Sequence, residues 1–592
     1  MLVLAGPGSG KTAVLSERIF NLTMHHDIPP DKILVLTFSR EAAGEMQQRF
    51  LSLSGGRTYP VHFGTFHAVF YQILKKEGLY NENSILSHKT KKEYVSLAGR
   101  MAGCPAYRDE AWQEETLSRI AARKIGVLPE FSEKSEGELF EKVFSEYSEK
   151  CRREKKLDFD DMITECIRLL TQSPGVLKKW QERYEYILVD EFQDIDLRQY
   201  EVLKLLAGER ANIFAVGDDD QSIYGFRGAC PSIMRRFKDE HRSIRIVNLV
   251  TNYRCKREII ENAVCLIGHN KERLPKRQEA ARAEAGLVDV EIFKSSHEEA
   301  EFVTGKLREL MKEAPGTSTG ILYRMGRCAE VLEAELKKQG IPYFRAEKTG
   351  SFFNEEWVKD VLSYMRFSLY ESEGDLLRIL NRPDRGLSRE AFGIGGKISL
   401  GALADYHKGE EERLFAIHRL QKDMEFIREL PVRAGFNYIL KGIGYEKELL
   451  RAQGGRSETV NELTEEFLER TGGHNDMGEF LKHVEMLCGI SQEKGASNKR
   501  AEGGKEGQIT LQTVHASKGL EYDTVFVIGM REGYFPHKRA ETNAETEEER
   551  RLFYVAMTRA RDRLYICGQK KDDFGKSESR FLHELKDADK RK

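Results

Sequence analysis

Eight residues near the start, Ala5-Gly-Pro-Gly-Ser-Gly-Lys11-Thr12, stand between a short apolar run, Leu2–Ala5, and an amphipathic stretch, Ala13–Met24. A glycine-rich loop that joins a strand directly to a helix constrains the fold more than any other feature of the chain, because the helix must then pack back across a sheet. The next apolar run, Lys32–Phe38, follows the Pro29-Pro30 break. These runs are continuous rather than alternating, which is the pattern of parallel strands covered on both faces. The chain therefore reads as α/β from its first forty residues.

The same loop carries chemistry. Its glycines let backbone N–H groups curl around a β-phosphate, Lys11 can reach the β/γ oxygens, and the Thr12 hydroxyl can ligate Mg²⁺. Ala5, Gly6, Gly8, Ser9, Gly10, Lys11 and Thr12 are the expected nucleotide-binding residues, although the strict pattern has glycine where Ala5 stands. A P-loop needs acidic residues at a second strand end. Tyr186-Ile-Leu-Val-Asp190-Glu191 supplies them, with Asp190 toward the metal and Glu191 as the general base for water. A nucleoside triphosphate hydrolase follows. A GTPase base reader, N-K-x-D, fails at Asn270-Lys271-Glu272-Arg273.

Composition removes other classes. At 592 residues the chain has room for about four domains. Hydrophobic residues at 40 % and charged residues at 32 % are an ordinary globular balance. A net charge of −2 excludes a uniformly basic nucleic-acid coat protein but not a basic groove on an acidic exterior. No apolar run approaches the ~20 residues of a membrane span, and the N-terminus lacks the form of a secretory signal. Nine cysteines without a C-x-x-C pair suit reduced thiols, so a cytoplasmic protein is expected.

Strand character returns at Tyr186–Val189 and Ile213–Val216, after a charged helical stretch. It returns again near Val288–Phe293 and Ser318–Tyr323, and after a second helical stretch at Thr510–Val514 and Thr524–Ile528. The expected organisation has a first module over 1–77 and 165–240, interrupted by a helical insertion over 78–164. A second module covers 241–365 and 509–592, interrupted by helices over 366–490. The glycine-rich, apolar-poor residues 491–508 read as a flexible linker.

Longer motifs narrow the field. Asp190-Glu-Phe-Gln-Asp194 and Val216-Gly-Asp-Asp-Asp-Gln221-Ser-Ile-Tyr-Gly-Phe226-Arg227 resemble motifs II and III of the UvrD/PcrA/Rep family of superfamily 1 DNA helicases. The resemblance continues in order through Leu36–Ala43, Gly64–His67, Asn252-Tyr253-Arg254, Thr513–Tyr522 and Glu549–Ala560, spanning residues 5 to 560. It implies two RecA-like parallel-sheet motor domains, each interrupted by a mostly helical insertion. It implies a DNA-dependent ATPase with ATP and Mg²⁺ as cofactors, moving 3′→5′ on single-stranded DNA and unwinding duplex at junctions.

The resemblance also implies roles. Arg254 and Arg559 would be arginine fingers on the γ-phosphate, beside Lys11, Asp190 and Glu191. Gln221 would sense that phosphate, Tyr253 would stack on adenine and Glu521 would bind the ribose. Thr12 and Asp190 would hold the metal. Phe38, Tyr224 and Phe226 would stack on bases, with phenylalanine at 226 where the family more usually has tryptophan; Thr65, His67, Arg227, Thr513, His515 and Lys518 would hold the DNA backbone. Repair or replication proteins would be partners, the protein acting as a monomer or a DNA-induced dimer on the nucleoid. A regulatory ATPase or protein displacer with little unwinding is the alternative.

Two departures carry expectations. Family members have an upstream glutamine motif that reads adenine, and here the P-loop begins at residue 5. Either residues before Met1 carry that motif or adenine falls to Tyr253 alone, in which case weak ATP affinity and little preference over GTP are expected. Within the second helical stretch, Arg385-Gly-Leu-Ser replaces the family's usual Gly-Ile-Gly turn, so altered duplex contact is expected.

Overall fold

The computed structural model describes all residues except 125–130, 132–133, 211, 226–227, 242, 347–351, 393–397, 453–456, 472–473, 493–506, 571–576 and 590–592. Six parallel strands form the first sheet: β1 (Leu2–Ala5), β2 (Ile33–Thr37), β3 (His62–Thr65), β4 (Tyr186–Val189), β5 (Ile213–Gly217) and β6 (Ile246–Leu249). Their order is β3-β2-β4-β5-β1-β6. Two short parallel strands, β7 (Thr251–Lys256) and β8 (Glu279–Arg282), make a separate ribbon. The second sheet, also parallel, contains β9 (Leu287–Phe293), β10 (Thr319–Tyr323), β11 (Phe344–Arg345), β12 (Ile509–Thr513), β13 (Tyr522–Met530) and β14 (Ala560–Gln569). Its order is β11-β12-β10-β13-β14-β9.

Both sheets are apolar on both faces, which explains the continuous runs. In the first, Leu2, Leu4, Leu34, Leu36, Ile187 and Val189 point to one side, against helices Phe66–Lys76, Phe159–Gln172 and Leu197–Ala207. Val3, Ala5, Ile33, Val35 and Leu188 point to the other, against Leu15 and Ile19 of helix Lys11–Met24 and Met46 and Phe50 of helix Arg40–Leu53. Each fully buried Leu or Ile contributes about 1.5–3 kcal/mol, so a six-stranded sheet cannot form with either face uncovered. The second sheet repeats the plan, with Leu322, Val525 and Val527 on one face and Ile321, Phe526 and Ile528 on the other.

The chain divides into two units. One comprises Met1–Leu86, Cys151–Glu347 and Arg500–Lys592 and holds both six-stranded sheets; the other comprises Ser87–Lys150 and Lys348–Lys499 and holds helices. This moves the expected boundaries. Residues 151–164 belong with the first sheet rather than the first insertion, because Ile163 and Cys166 lie in that sheet's core and Leu157 bonds back to Ser84. Residue 240 is too early an end for the first module, since β6 completes its sheet. The second helical stretch begins before 366, because Trp357, Val358, Val361 and Leu362 are core residues of the helical unit. The expected linker lies outside the described residues over 493–506, while Ser491 and Gln492 close helix Met477–Gln492. Among the described residues no helix is long and apolar enough to cross a membrane.

Candidate nucleotide and nucleic-acid site

In a parallel sheet, the loops at the carboxyl ends of the strands are where ligands bind. Here the P-loop leaves β1, Phe38 follows β2, Asp190 and Glu191 follow β4, and the Asp218–Gln221 turn follows β5. From the second sheet come the segments entering β13 and β14, which bring Glu521 and Arg559 to the same place. Together they enclose a cleft of about 1380 Å³. Gly8, Ser9, Gly10, Lys11, Thr12, Asp190, Glu191 and Gln221 line it from one side, and Tyr253, Arg254, Glu521, Arg559 and Arg561 from the other. Ala5 and Gly6 lie beneath the loop, Ala5 fully buried as the last residue of β1.

The P-loop is held by the β7 strand. Asn252 donates its side-chain amide to the Pro7 carbonyl at 2.6 Å, and the Tyr253 N–H donates to the Gly8 carbonyl at 2.9 Å. The Asn252 side-chain oxygen Oδ1 in turn accepts from the N–H groups of Arg254 and Cys255, both at 2.8 Å. Gly8 has φ +64°, and a Cβ there would stand 2.6 Å from the Arg254 Cβ, so only glycine fits between the loop and this strand. Tyr253 is 65 % exposed, leaving its ring face open at the rim of the cleft.

Lys11 Nζ lies 3.0 Å and 3.1 Å from the two carboxylate oxygens of Glu191. Glu191 occupies the left-handed region, φ +48°, which turns its side chain toward the P-loop immediately after β4. Gln193 donates to Glu191 Oε2 at 2.5 Å and accepts from the Asp218 N–H at 2.9 Å, joining the β4 and β5 loops. The two neighbouring carboxyls are driven apart. Burial and the charge of Glu191 raise Asp190, whereas Lys11 and Lys518 outweigh desolvation at Glu191 and hold it well below the usual range. Opposed shifts in adjacent acids are a signature of acid–base work.

Arg254, on β7, donates from Nε to Glu521 Oε2 at 2.5 Å, and Arg561 of the second sheet takes the other Glu521 oxygen. Glu521, expected at the ribose, thus has both oxygens engaged by guanidinium groups. Arg559 is buried, its Nε and Nη1 spent on the Val555 and Leu520 carbonyls, while Nη2 points to Gln221 Oε1 at 3.4 Å. Burial and nearby Arg254 push Arg559 down to about 9, which leaves it charged at neutral pH.

The residues expected at DNA divide. Phe38 and Tyr224 line the cleft and stack on each other, ring centroids 5.1 Å apart at 9°. Lys518, expected at the DNA backbone, has its ammonium 2.5 Å from Asp194 and 2.8 Å from the Gln221 carbonyl, over the Tyr224 ring at 4.9 Å. It joins the two sheets' loops because two acceptors on the first sheet's loops face it. Thr65, His67, Thr513 and His515 lie outside the cleft lining. Thr65 caps helix Phe66–Lys76 by accepting from the Ala68 N–H, and Thr513 accepts from the Ala516 N–H. His67 meets the exposed ring of Phe159 edge-on at 5.6 Å, and the His515 ring lies 6.4 Å from that of Tyr224. Phe226 and Arg227 lie outside the described residues, as does Gly393-Ile394-Gly395, a Gly-Ile-Gly run that follows Arg385-Gly-Leu-Ser in the sequence.

Sequence reasoning missed Asn252, Gln193, Lys276 and Gln278. Asn252 stands within a recognised motif, and its place before the two cleft-lining residues was the available signal. Nothing near Lys276 or Gln278 marks them in sequence.

Two family models match the chain: the UvrD/REP helicase N-terminal domain over residues 1–242 and the UvrD-like helicase C-terminal domain over 247–571. The chain belongs to the UvrD/REP helicase family. Among its UvrD/REP relatives, PcrA of Staphylococcus epidermidis, named an ATP-dependent DNA helicase, is 32 % identical over 99 % of this chain and 84 % of its own length. PcrA of Bacillus subtilis, with the same description, is 30 % identical over the same shares. The B. subtilis protein YjcD is 30 % identical over 99 % of this chain and 79 % of its own. The N-terminal match covers strands β1 to β5 of the first sheet, and the C-terminal match covers every strand of the second.

Proposed function

We propose that this chain is an ATP-dependent DNA helicase that moves 3′→5′ on single-stranded DNA and unwinds duplex at single-strand/duplex junctions, in repair or replication. One observation carries the reading: a single cleft gathers Lys11, Glu191 and Gln221 from the loops of the first sheet with Arg254 from the β7–β8 ribbon and Arg559 from the second sheet. A site split between two sheets ties nucleotide chemistry to their relative position.

In this reading Gly8, Ser9 and Gly10 cradle the phosphates and Lys11 leaves Glu191 for the β/γ oxygens. Glu191, held ionised, orients the attacking water and accepts its proton. Arg254 and Arg559 meet the γ-phosphate, where a guanidinium matches phosphate oxygens bidentately. Thr12 and Asp190 present hard oxygens suited to Mg²⁺ and would hold it. When bound, the metal neutralises charge on the phosphate oxygens. Tyr253 offers its open ring to the adenine. Phe38 and Tyr224 separate to admit a base between rings now stacked together. The protein acts in the cytoplasm, on the nucleoid.

Phosphate release from ATP, measured with and without single-stranded DNA, tests the ATPase part. The expected result is stimulation of at least about tenfold, lost in Lys11→Ala, which still binds DNA. DNA-stimulated hydrolysis surviving in Lys11→Ala would contradict the assignment of the P-loop.

A further inference from the structure

Asp218, Asp219 and Asp220 are all buried, and their carboxylate oxygens lie within 4.8 Å of one another. Three buried like charges at that spacing are untenable without compensation. The compensation is a lysine. Lys276, its side chain 3 % exposed, places Nζ against Asp218, Asp219 and, at 3.0 Å, Asp220. Arg273 adds a two-pronged contact to Asp220 at 2.6 and 2.9 Å, and the Leu274 N–H donates to Asp219 at 2.5 Å.

These residues belong to neither sheet. Residues 270–278 connect helix Arg257–Ile267 to β8. At one end the segment is bound to helix Asn543–Met557: Asn270 donates to the Glu547 carbonyl and accepts from Arg550, and the Lys271 N–H donates to the Glu547 carboxylate. In its middle, Leu274 is buried in the core of the first sheet. At the far end, Gln278 hydrogen-bonds Tyr554 and fills the space a side chain at Gly6 of the P-loop would need. The segment therefore bridges the loops of the first sheet to a helix of the second.

The aspartates it grips lead to the cleft. Asp218 Oδ2 accepts from the Gln221 side-chain amide at 2.6 Å, and Asp218 Oδ1 accepts from the Asp220 N–H. Gln221 in turn faces Arg559. We propose that Lys276 is a positioning residue for hydrolysis: by holding the Asp218–Asp220 turn against the 270–278 segment, it fixes the Gln221 amide opposite Arg559 and couples that geometry to the second sheet. A compact ammonium suits a point shared by three carboxylates better than a planar fork.

The inference rests on the reading of the cleft as a DNA-stimulated ATPase. Its test is the kcat–KM split for ATP, with saturating single-stranded DNA, in wild type, Lys276→Met and Lys276→Arg. The expected result is that K276M loses at least about tenfold in kcat with its KM changed less than about threefold, while K276R, which keeps the charge but not the compact shape, recovers part of the loss. Thermal melting reports whether K276M folds. If it does not, K276M combined with Asp219→Asn, which removes one charge from each side, is held to the same criteria. A folded variant with kcat within about twofold of wild type, or one whose defect lies wholly in KM, would overturn the proposal. A wild-type protein without DNA-stimulated hydrolysis would overturn the functional reading itself, whereas a stimulated wild type with an equally stimulated K276M would overturn this inference alone.

Discussion

Arg254 rests on Glu521, Nε to Oε2 at 2.5 Å, with Arg561 on the remaining carboxylate oxygen. The pattern recurs in the cleft: Lys11 rests on Glu191 and Lys518 on Asp194. Under the proposed function, a polyanionic nucleotide would exchange these carboxylate partners for its phosphate oxygens, and charge-assisted bonds to phosphate make that exchange favourable. In the structure each of these cations is held by a carboxylate.

Removing the guanidinium should expose this. Arg254→Ala is expected to lower kcat by about 10³-fold, the lower end of what arginine fingers contribute. Arg254→Lys should recover little, because an ammonium cannot reproduce the fork. Steady-state hydrolysis with saturating DNA measures both, and near-wild-type turnover in R254K would deny Arg254 its place on phosphate.

Glu191→Gln keeps the shape but not the base. The expected outcome is a fall in kcat of about 10²–10⁴-fold with nucleotide binding retained. Equilibrium titration with a fluorescent ATP analogue beside the rate assay separates the two effects.

Phe38→Ala should weaken single-stranded DNA binding by about 1–3 kcal/mol, the usual value of one base–aromatic stack. The loss should be independent of base sequence. Fluorescence anisotropy on homopolymers of different bases checks it, and unchanged affinity would mean that the Phe38–Tyr224 stack is packing alone.

How far these features could be read from sequence depended on their range. Strands such as Tyr186–Val189 were legible because burial on both faces leaves an unbroken apolar run, and the P-loop was legible because its residues are contiguous. The module edges were not. Helix Phe159–Gln172 is charged along one side like its neighbours in the insertion, and only the contact of Ile163 and Cys166 with the sheet assigns it. The functional links that escaped notice are long-range: Asn252 reaches Pro7 across 245 residues, and Lys276 meets Asp218 across 58. Lys518 likewise meets Asp194 across 324 residues.

Glu299 offers a pH test away from the cleft. It is buried on helix Ser296–Glu313, accepting from the Gly529 N–H and the Gln569 amide, both at 2.9 Å. Burial outweighs these bonds and pushes its carboxyl up to about 7 from an ordinary 4.5. A raised folded-state value means that the stability associated with the protonated form is complete below about 4.5 and is lost as pH rises through about 7. Glu299→Gln removes the ionisation. It should melt at a higher temperature than wild type at pH 8, by on the order of 2 kcal/mol in stability, and show little difference at pH 5. Equal melting differences at both values would remove Glu299 from the account.

The most direct measurement is strand displacement on two otherwise identical partial duplexes, one with a 3′ and one with a 5′ single-stranded tail, with ATP and Mg²⁺. The expected result is ATP-dependent release from the 3′-tailed substrate only, abolished in Glu191→Gln. Release from neither substrate, or preferentially from the 5′-tailed one, would contradict the claim that the cleft drives 3′→5′ unwinding.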